Sequence, residues 1–463
     1  MPQKRTFCKQ KTTVRLYNEN VKKVIDMENK IGIRKWLSFI VAGIVGQIAW
    51  ALENMYLNVY AFYASGDYNV IPLMTALSAI TATVTTLLMG ALSDRLGKRK
   101  AFIAFGYIIW GVSIAIFAFL DPHNTAMSLV GSSGVLAGAM IVVMDCVMTF
   151  FGSTANDASF NAFVTDNTVT ENRGKVESVL SILPMVSMIL IVVLAGVIVQ
   201  DNHGWDIFFF IFGIITTVAG VACIFLLPKD TQEPNRTEPY IKNIFYGFRP
   251  KVIKENPLLY ITLIAFCVFS IAIQIFFPYF IVYIQNVLGI VDINFMITFG
   301  VVLVVACIIT VVFGLFMDRI GKNKILMPAL LVCALGAFLF FFAKDMVFVI
   351  IAGIVLMSGY MISVAVFGAK VRDFTPKNEI GLFQGIRMIF VVMIPMITGP
   401  YIGDLFFLIN KQTYINEYGI ESLVPNNMMF LGVGLFVLLA LIPAFILIRK
   451  DKNQVVEQDE TIE

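Results

Sequence analysis

The chain has 463 residues, of which 58% are hydrophobic and only 14% are charged. Soluble domains average about 45–50% apolar and about 25% charged residues, so this composition excludes a water-soluble globular protein. The formal net charge of +3 carries little information, because in a membrane protein the side on which the charges lie matters more than their sum.

The first segment, residues 1–36, is charged throughout and lacks the apolar core and cleavage site of a secretory signal. We predict that it is a cytoplasmic basic tail and that the first span directs insertion. Six cysteines occur singly, one in this tail and five in apolar runs, which indicates neither a disulfide framework nor a metal site.

Apolar runs that could cross a bilayer, which takes roughly 20 helical residues, form two sets of six. The first set predicts a bundle over residues 37–228, with spans at 37–63, 71–93, 101–120, 134–160, 176–200 and 206–228. The second predicts a bundle over 257–448, with spans at 257–285, 293–317, 325–343, 346–369, 383–408 and 427–448. The segment 229–256 between them, rich in proline and charge, predicts a cytoplasmic linker.

Orientation follows from the basic residues. All but three of the 34 Lys and Arg residues fall on one side of this arrangement, the exceptions being Lys344, Lys411 and Arg387. Because cytoplasmic loops carry the excess of Lys and Arg, both termini are predicted to be cytoplasmic, including the tail 449–463. The expected fold is an all-α membrane protein with 12 transmembrane helices.

Span one carries a polar stripe on an otherwise apolar helix. Its members fall within about 80° of one another at ~100° per residue, and they are Gln47, Trp50, Asn54 and Asn58. We expect them to face a central cavity and bind a sugar or similar polyol, because amides both donate and accept hydrogen bonds and an indole offers an apolar face. Alternatively, they only bond neighbouring helices.

The loop after span two and the loop after span eight have matching sequences, Gly90-Ala-Leu-Ser-Asp-Arg-Leu-Gly-Lys-Arg-Lys100 and Gly314-Leu-Phe-Met-Asp-Arg-Ile-Gly-Lys-Asn-Lys324. A repeat at equivalent places in two six-helix sets implies two pseudo-symmetric halves with a site between them. The pattern resembles the signature loop of the major facilitator superfamily, which implies the major facilitator fold. The expected gating-loop residues are Gly90, Asp94, Arg95, Gly97, Lys98, Lys100, Asp318, Arg319 and Gly321. Their alternative role is a basic turn without switching function.

Ionisable groups within spans cost roughly 2.5–3.5 kcal/mol on insertion scales, which makes each a functional hypothesis. Besides Asp404 near the outer end of span eleven, four are candidates for proton coupling: Glu53, Asp145, Asp157 and Arg387. Arg387 is expected to pair with Asp145 or Asp157, or else to reach the cytoplasmic interface.

Span seven contains an aromatic, proline-broken segment with Gln274 and Tyr279, which we expect to bind the substrate and cap the site from outside. Contact with lipid is the alternative reading of these aromatic residues.

Two further segments carry a narrower resemblance. Gln47-Ile-Ala-Trp-Ala-Leu-Glu53 is similar to the first-helix segment of the sucrose:proton symporters, and Asp157 to Thr168, followed by Arg173, is similar to the fourth helix of the glycoside-pentoside-hexuronide:cation symporters. The resemblance implies that Asp157 contributes to sugar and cation binding, although a helix-end charge is the alternative. Melibiose-type members have two acids where this chain has Ala82 and Thr86, so a proton is expected rather than sodium.

These observations predict a secondary active transporter that moves a small polar solute, a sugar or glycoside, in symport with a proton. It is expected to act as a monomer in the bacterial cytoplasmic membrane. No cofactor, metal, nucleic-acid partner or enzymatic activity is expected, because His123 and His203 lie in loops and no phosphate-binding glycine loop is present. Two alternatives are a polyspecific exporter of amphipathic compounds, which would have a larger apolar cavity, and a sensor, which would need a cytoplasmic output domain.

Overall fold

The computed structural model is helical and describes residues 31–120, 134–168, 176, 179–180, 182–199, 203–230, 248–376, 380–415 and 421–460. Most of the predicted N-terminal tail and linker, together with His123 and Arg173, lies outside these residues. Within the described part of the linker, a short helix, Pro250–Glu255, begins at a proline, which is favourable at a first helical position.

We number the long described helices α1 to α12 in chain order. The first six are α1 Ile33–Ser65, α2 Val70–Leu96, α3 Arg99–Ile116, α4 Gly134–Asp166, α5 Leu183–Ile198 and α6 Trp205–Leu226. The others are α7 Pro257–Val287, α8 Asp292–Ile320, α9 Lys322–Phe341, α10 Met346–Phe374, α11 Gly385–Asn410 and α12 Met428–Glu460.

Eleven helices of the described chain are long and apolar enough to cross a membrane. The exception, α5, is apolar but has only 16 residues. The structure therefore supports eleven of the twelve predicted spans. Large apolar side chains are exposed on the outer faces of these helices, such as Phe225 at 71% and Val135 at 81%, as lipid contact requires.

Helix packing repeats between the two sets of six. The pairs α1–α5, α1–α6, α2–α4 and α3–α6 have counterparts in α7–α11, α7–α12, α8–α10 and α9–α12. Two further pairs, α2–α11 and α5–α8, join the sets and are related by the same exchange of six helices. The pattern of helix contacts in the first set is thus repeated in the second, which is consistent with the repeated loop sequence.

Close packing of α3 against α6 depends on small residues. A Cβ atom added to Gly213 would lie 2.7 Å from the carbonyl oxygen of Gly111 and 2.8 Å from Cβ of Ala115. Glycine at this position therefore lets the two backbones approach, as is common between membrane helices.

Several of the helices contain irregular segments. π-Helical segments occur in α1, α4, α7 and α11, at Leu52–Leu57, Ser153–Phe160, Tyr283–Val287 and Ile389–Met393. In addition, α7 is interrupted before the 3₁₀ turn Phe277–Tyr279, in which Pro278 has no amide hydrogen to donate. Such irregularities often mark functional sites, because they redirect side chains out of the regular helical array.

A two-stranded antiparallel ribbon lies between α11 and α12. Strand β1, Thr413–Ile415, pairs with β2, Glu421–Leu423, in the register Thr413 with Leu423. Helix α12 continues beyond the predicted end of its span, because its polar last part still forms helical backbone hydrogen bonds as far as Glu460.

Candidate functional site

A polar cavity of about 290 Å³ lies where the two sets of helices meet. The first set lines it from α1, α2 and α4, and the second from α7 and α11. Its lining residues are Glu53, Asn54, Asn58, Met74, Thr75, Ser78, Asp145, Gln274, Phe277, Pro278 and Met396. We call this space the polar cavity.

Glu53 is the best anchored acid of the polar cavity. Its Oε1 atom accepts hydrogen bonds from the hydroxyls of Ser78, at 2.7 Å, and Thr149, at 3.0 Å. Those two hydroxyl oxygens are themselves 2.9 Å apart. The side chain is only 5% exposed, and its Oε2 atom is buried without a hydrogen-bond partner. Two hydroxyls thus hold the Oε1 atom of Glu53 in place, and its Oε2 atom is available to bind a proton or a ligand.

Asp145 approaches Glu53 from α4. It is 1% exposed, its Oδ1 atom is buried without a hydrogen-bond partner, and it interacts electrostatically with Glu53. The ion pairs of the described residues include none with either carboxyl group. Two buried acids therefore lie together, and no cation among the described residues forms an ion pair with them, which is an expensive arrangement in a membrane interior.

The polar stripe of α1 divides into two parts. Asn54 and Asn58 line the polar cavity, and each donates its amide NH₂ to its own helix, to the carbonyls of Trp50 and Asn54 at 2.8 and 2.9 Å. The side-chain oxygen of Asn54 accepts none of the described hydrogen bonds. The amides therefore present acceptors to the polar cavity.

Trp50, in the other part of the stripe, belongs to a chain of hydrogen bonds inside the protein. The Trp50 indole donates to Oδ1 of Asn156 at 3.3 Å, and the Asn156 amide donates to the Tyr107 hydroxyl at 2.7 Å. Tyr107 donates in turn to the carbonyl of Ala42 at 2.6 Å. This chain joins α1, α3 and α4, and it lies outside the polar cavity, as does the half-buried Gln47.

Asp157 also lies outside the polar cavity, in the π segment of α4. The Ser153 hydroxyl donates to the Oδ2 atom of Asp157 at 3.1 Å. The Asp157 carboxyl group interacts electrostatically with Glu53. Asp157, which the sequence predicts to bind the substrate, is thus half-buried and lies near Glu53.

The two candidates of α7 differ in position. Gln274 lines the polar cavity, whereas Tyr279 is fully buried and lies outside it. The Tyr279 hydroxyl donates to Asp404 at 2.8 Å and to the carbonyl of Pro400 at 3.2 Å, which ties α7 to α11. Its observed contacts are therefore structural.

Arg387 is half-buried in α11. The described ion pairs include none between Arg387 and either Asp145 or Asp157, and the pairing stays a prediction.

Both repeated loops turn at a glycine with positive φ, Gly97 at 62° and Gly321 at 93°. The half-buried Gly90 precedes the first turn, whereas Arg95 and Lys98 are exposed and the side chains of Asp94, Asp318 and Arg319 lie outside the described part of the chain. Glycine adopts this conformation without the penalty that a Cβ atom would bring.

Ion pairs near these loops involve residues outside the predicted gating-loop set. Arg99 pairs with Asp166 at the end of α4 and donates to the Ser93 hydroxyl at 3.1 Å. In the second half, Lys322 pairs with Asp373 at 2.6 Å and Lys370 with Asp451 at 2.8 Å. Lys100, which was predicted, donates to the carbonyl of Leu227 at 3.1 Å. The contacts found here thus fasten the loops within their own halves.

The two sets of helices touch at the end of the molecule where α1 and α7 finish. The Tyr63 hydroxyl donates to the Asn286 side chain at 2.7 Å, and the rings of Tyr68 and Phe407 lie 6.3 Å apart. This end of the interface is therefore closed by contacts between the halves.

The comparisons with known proteins agree with this architecture. Residues 36–400 match the family model described as Major Facilitator Superfamily. The fold is similar to that of the nucleoside transporter NupG, with a TM-score of 0.63, 12% identity, and coverage of 90% of this chain and 99% of that one. No curated protein sequence matches the chain.

Two sugar transporters have a similar fold. A D-xylose-proton symporter has a TM-score of 0.66 and 13% identity, with coverage of 88% of this chain and 97% of the symporter. The partially occluded inward open xylose transporter XylE from E. coli has a TM-score of 0.62 and 14% identity, with coverage of 87% and 97%. Identities this low establish the fold alone. Because the family model spans most of the sequence, including the helices that line the polar cavity, the chain belongs to the major facilitator superfamily and is a multi-pass membrane transporter.

Proposed function

We propose that the chain is a secondary active transporter that moves a sugar or glycoside across the cell membrane by alternating access, in symport with a proton. In this proposal the bundles 37–228 and 257–448 rock around the polar cavity, joined by the cytoplasmic linker 229–256. The transporter has twelve spans and cytoplasmic termini, and it acts as a monomer in a bacterial cytoplasmic membrane. The xylose transporters of similar fold, one of them named a proton symporter, are consistent with this substrate class.

The observation that carries the proposal is the composition of the polar cavity. Three amides, Asn54, Asn58 and Gln274, line it together with two acids and two hydroxyls. Groups that accept and donate in several directions suit a solute with many hydroxyls. The cavity takes side chains from both halves, as a site that opens alternately to the two sides of the membrane requires.

Glu53 and Asp145 support coupling to a proton. Both are buried, each has an oxygen without a hydrogen-bond partner, and the described ion pairs give neither a cation. A proton bound at this pair removes the cost of burying two adjacent charges, and its release becomes favourable when the cavity opens to water, because water then solvates the carboxylates. Among the described residues, no three His, Cys, Asp or Glu side chains form a metal-binding group.

The closed end of the interface, with Tyr63 and Asn286, is assigned to the extracellular side because α1 starts next to the predicted cytoplasmic tail. Asp157, Arg387 and the gating loops remain proposed parts of the mechanism, in which protonation or substrate binding changes their partners. The kinship with the sucrose and glycoside symporters is likewise part of the proposal.

Uptake into proteoliposomes tests this function. We expect accumulation of at least one mono- or disaccharide from a panel when the pH gradient is directed inward, and no comparable response to a sodium gradient. Asn54→Ala should reduce uptake, and Asp157→Asn should reduce the response to pH. Unchanged accumulation in Asn54→Ala, Asp157→Asn and Glu53→Gln would refute the site, and absence of saccharide uptake in any gradient would refute the substrate class.

A second candidate function is export of varied amphipathic compounds. It is favoured by one observation, an apolar cavity of about 550 Å³ beside α7. An exporter of this kind should expel apolar dyes and should tolerate the loss of the α1 amides, whereas the sugar transporter should not.

A further inference from the structure

The apolar cavity lies between α5, α7, α8, α9 and α10. Its walls include Met188, Phe276, Phe299, Phe340 and Leu356, and nearly all its other lining residues are apolar as well. The one hydroxyl in the lining, that of Thr298, donates to its own helix at the carbonyl of Asn294, at 2.7 Å. The walls therefore offer aromatic and aliphatic surface and little hydrogen bonding.

The apolar cavity adjoins the polar cavity. Phe277 lines both, and it begins the 3₁₀ turn that interrupts α7. Gln274, one turn earlier, faces the polar cavity, and Phe276 faces the apolar one. The break in α7 therefore places polar and apolar binding surfaces on two sides of one short segment.

Both cavities lie at the boundary between the halves. Met188 of α5 contributes to the apolar cavity from the first half, just as Gln274 and Met396 contribute to the polar cavity from the second. A single bound molecule that extended past Phe277 from one cavity into the other would thus contact residues of both halves in each cavity.

We propose that the transported solute carries a compact apolar group, such as an aryl or short alkyl substituent, which occupies the apolar cavity while its hydroxylated part occupies the polar cavity. Aryl glycosides have this chemistry. The inference rests on the proposed function and narrows its substrate class.

A membrane lipid is a poorer occupant, because the cavity faces inward. On α8, Val302 and Leu303 line it and are 8% and 2% exposed, whereas Val301 and Val304 on the outer face are 39% and 46% exposed. Lipid contact belongs to the outer face.

The test compares matched probes with the wild-type transporter in proteoliposomes. Methyl and phenyl β-glycosides of glucose, galactose and xylose compete for uptake of the best saccharide. We expect the phenyl glycoside to have a half-inhibitory concentration at least about tenfold lower than the methyl glycoside, since even one methylene group in an apolar pocket is worth roughly that factor. Equal values for the two glycosides would overturn the inference while leaving saccharide transport intact. Failure of every saccharide to be transported would instead refute the proposed function.

Variants of α8 locate the apolar group. Val302→Phe fills the apolar cavity, and Val304→Phe makes the same change on the outer face. Val302→Phe should weaken competition by the phenyl glycoside at least about fivefold more than competition by the methyl glycoside, in line with the effect of small changes in apolar pockets. Val304→Phe should change neither. An equal loss for both glycosides in Val302→Phe, or the same selectivity change in Val304→Phe, would contradict the assignment.

Enlarging the space between the two cavities at Phe277 gives an independent check. Phe277→Ala removes the shared wall, so that naphthyl glycosides should compete better relative to phenyl glycosides than they do in the wild type. No change in this ratio would also count against the inference. Strong competition by naphthalene derivatives that have no sugar would show that the polar cavity is not needed, and it would overturn the proposed division between the two cavities.

Discussion

At the scale of single residues, the acids of the polar cavity are defined by which oxygen atoms have partners. Glu53 accepts two hydroxyl hydrogen bonds through one oxygen, while its other oxygen and one oxygen of Asp145 have none. Both acids are conspicuous in the sequence, because an ionisable group within a span is costly. The hydroxyls of Ser78 and Thr149 are not, because Ser and Thr are common in membrane helices and no local pattern distinguishes those that meet across helices.

We predict that Glu53→Gln uncouples transport from the pH gradient. A one-unit gradient carries about 1.4 kcal/mol and supports about tenfold accumulation. Glutamine retains an oxygen that can accept from Ser78 and Thr149, but it cannot exchange a proton. Accumulation should therefore fall to equilibrium, while substrate counterflow without a gradient persists.

The control for this experiment is Asp404→Asn, which alters a half-buried acid outside the polar cavity and keeps an acceptor for Tyr279. It should accumulate substrate as the wild type does. If Glu53→Gln still accumulated substrate tenfold, proton binding at Glu53 would be excluded.

Asn156 links helices through hydrogen bonds, and no sequence pattern predicted this role. It connects the Trp50 indole to the Tyr107 hydroxyl within the interior. We predict that Asn156→Ala destabilises the protein by about 1–3 kcal/mol, the cost of leaving a buried donor without a partner. Thermal unfolding in detergent should show a lower midpoint than Asn161→Ala, which removes an exposed amide from the same helix. Equal midpoints would contradict this role.

At the scale of helices, the ends of each helix follow from the hydropathy of the sequence, but the faces through which the helices pack do not. The alternation of apolar runs and charged loops predicted eleven helices that the structure contains as candidate spans. The π segments in α1 and α4 could not be foreseen, because they depend on side chains from neighbouring helices. They matter here, since Glu53, Asn54 and Asp157 all lie within them.

The contact of α3 with α6 gives a prediction at this scale. Gly213→Ala places a methyl group 2.7 Å from the Gly111 carbonyl oxygen, so the helices must separate. Overpacking of this kind costs roughly 1–3 kcal/mol. A lower unfolding midpoint is expected, and Gly300→Ala serves as control because its Cβ would meet nothing within 4 Å. A midpoint equal to that of the control would show that the helices adjust without cost.

At the scale of the whole molecule, contacts between the halves determine which end of the polar cavity is closed. Tyr63 and Asn286 join the halves at the end where α1 and α7 finish. Alternating access requires this contact to break in each cycle, because the cavity must open toward that end to exchange solute.

We therefore predict that linking the halves here blocks transport. In a protein whose native cysteines are replaced, Tyr63→Cys together with Asn286→Cys should be joined by a short bifunctional reagent, and uptake should be lost. Cleavage of a reducible linker should restore it. Tyr63→Cys alone, treated in the same way, should remain active. Full uptake by the linked protein would mean that this end does not open during transport.

The sequence by itself determined the membrane environment, the helical class and the repeat, because hydropathy, basic loops and a duplicated turn are local properties of the chain. It also indicated Glu53, Asn54, Asn58, Asp145 and Gln274, all of which line the polar cavity. Polar groups are scarce in membrane helices, so each is conspicuous.

Only the tertiary structure decided which polar groups meet. It separated Trp50 and Tyr279, whose hydrogen bonds are satisfied inside the protein, from the amides that face the polar cavity. It also revealed an apolar cavity beside the polar one. Neither result follows from the order of residues, because both depend on how distant helices cross, and crossing is set by the fit of many side chains at once.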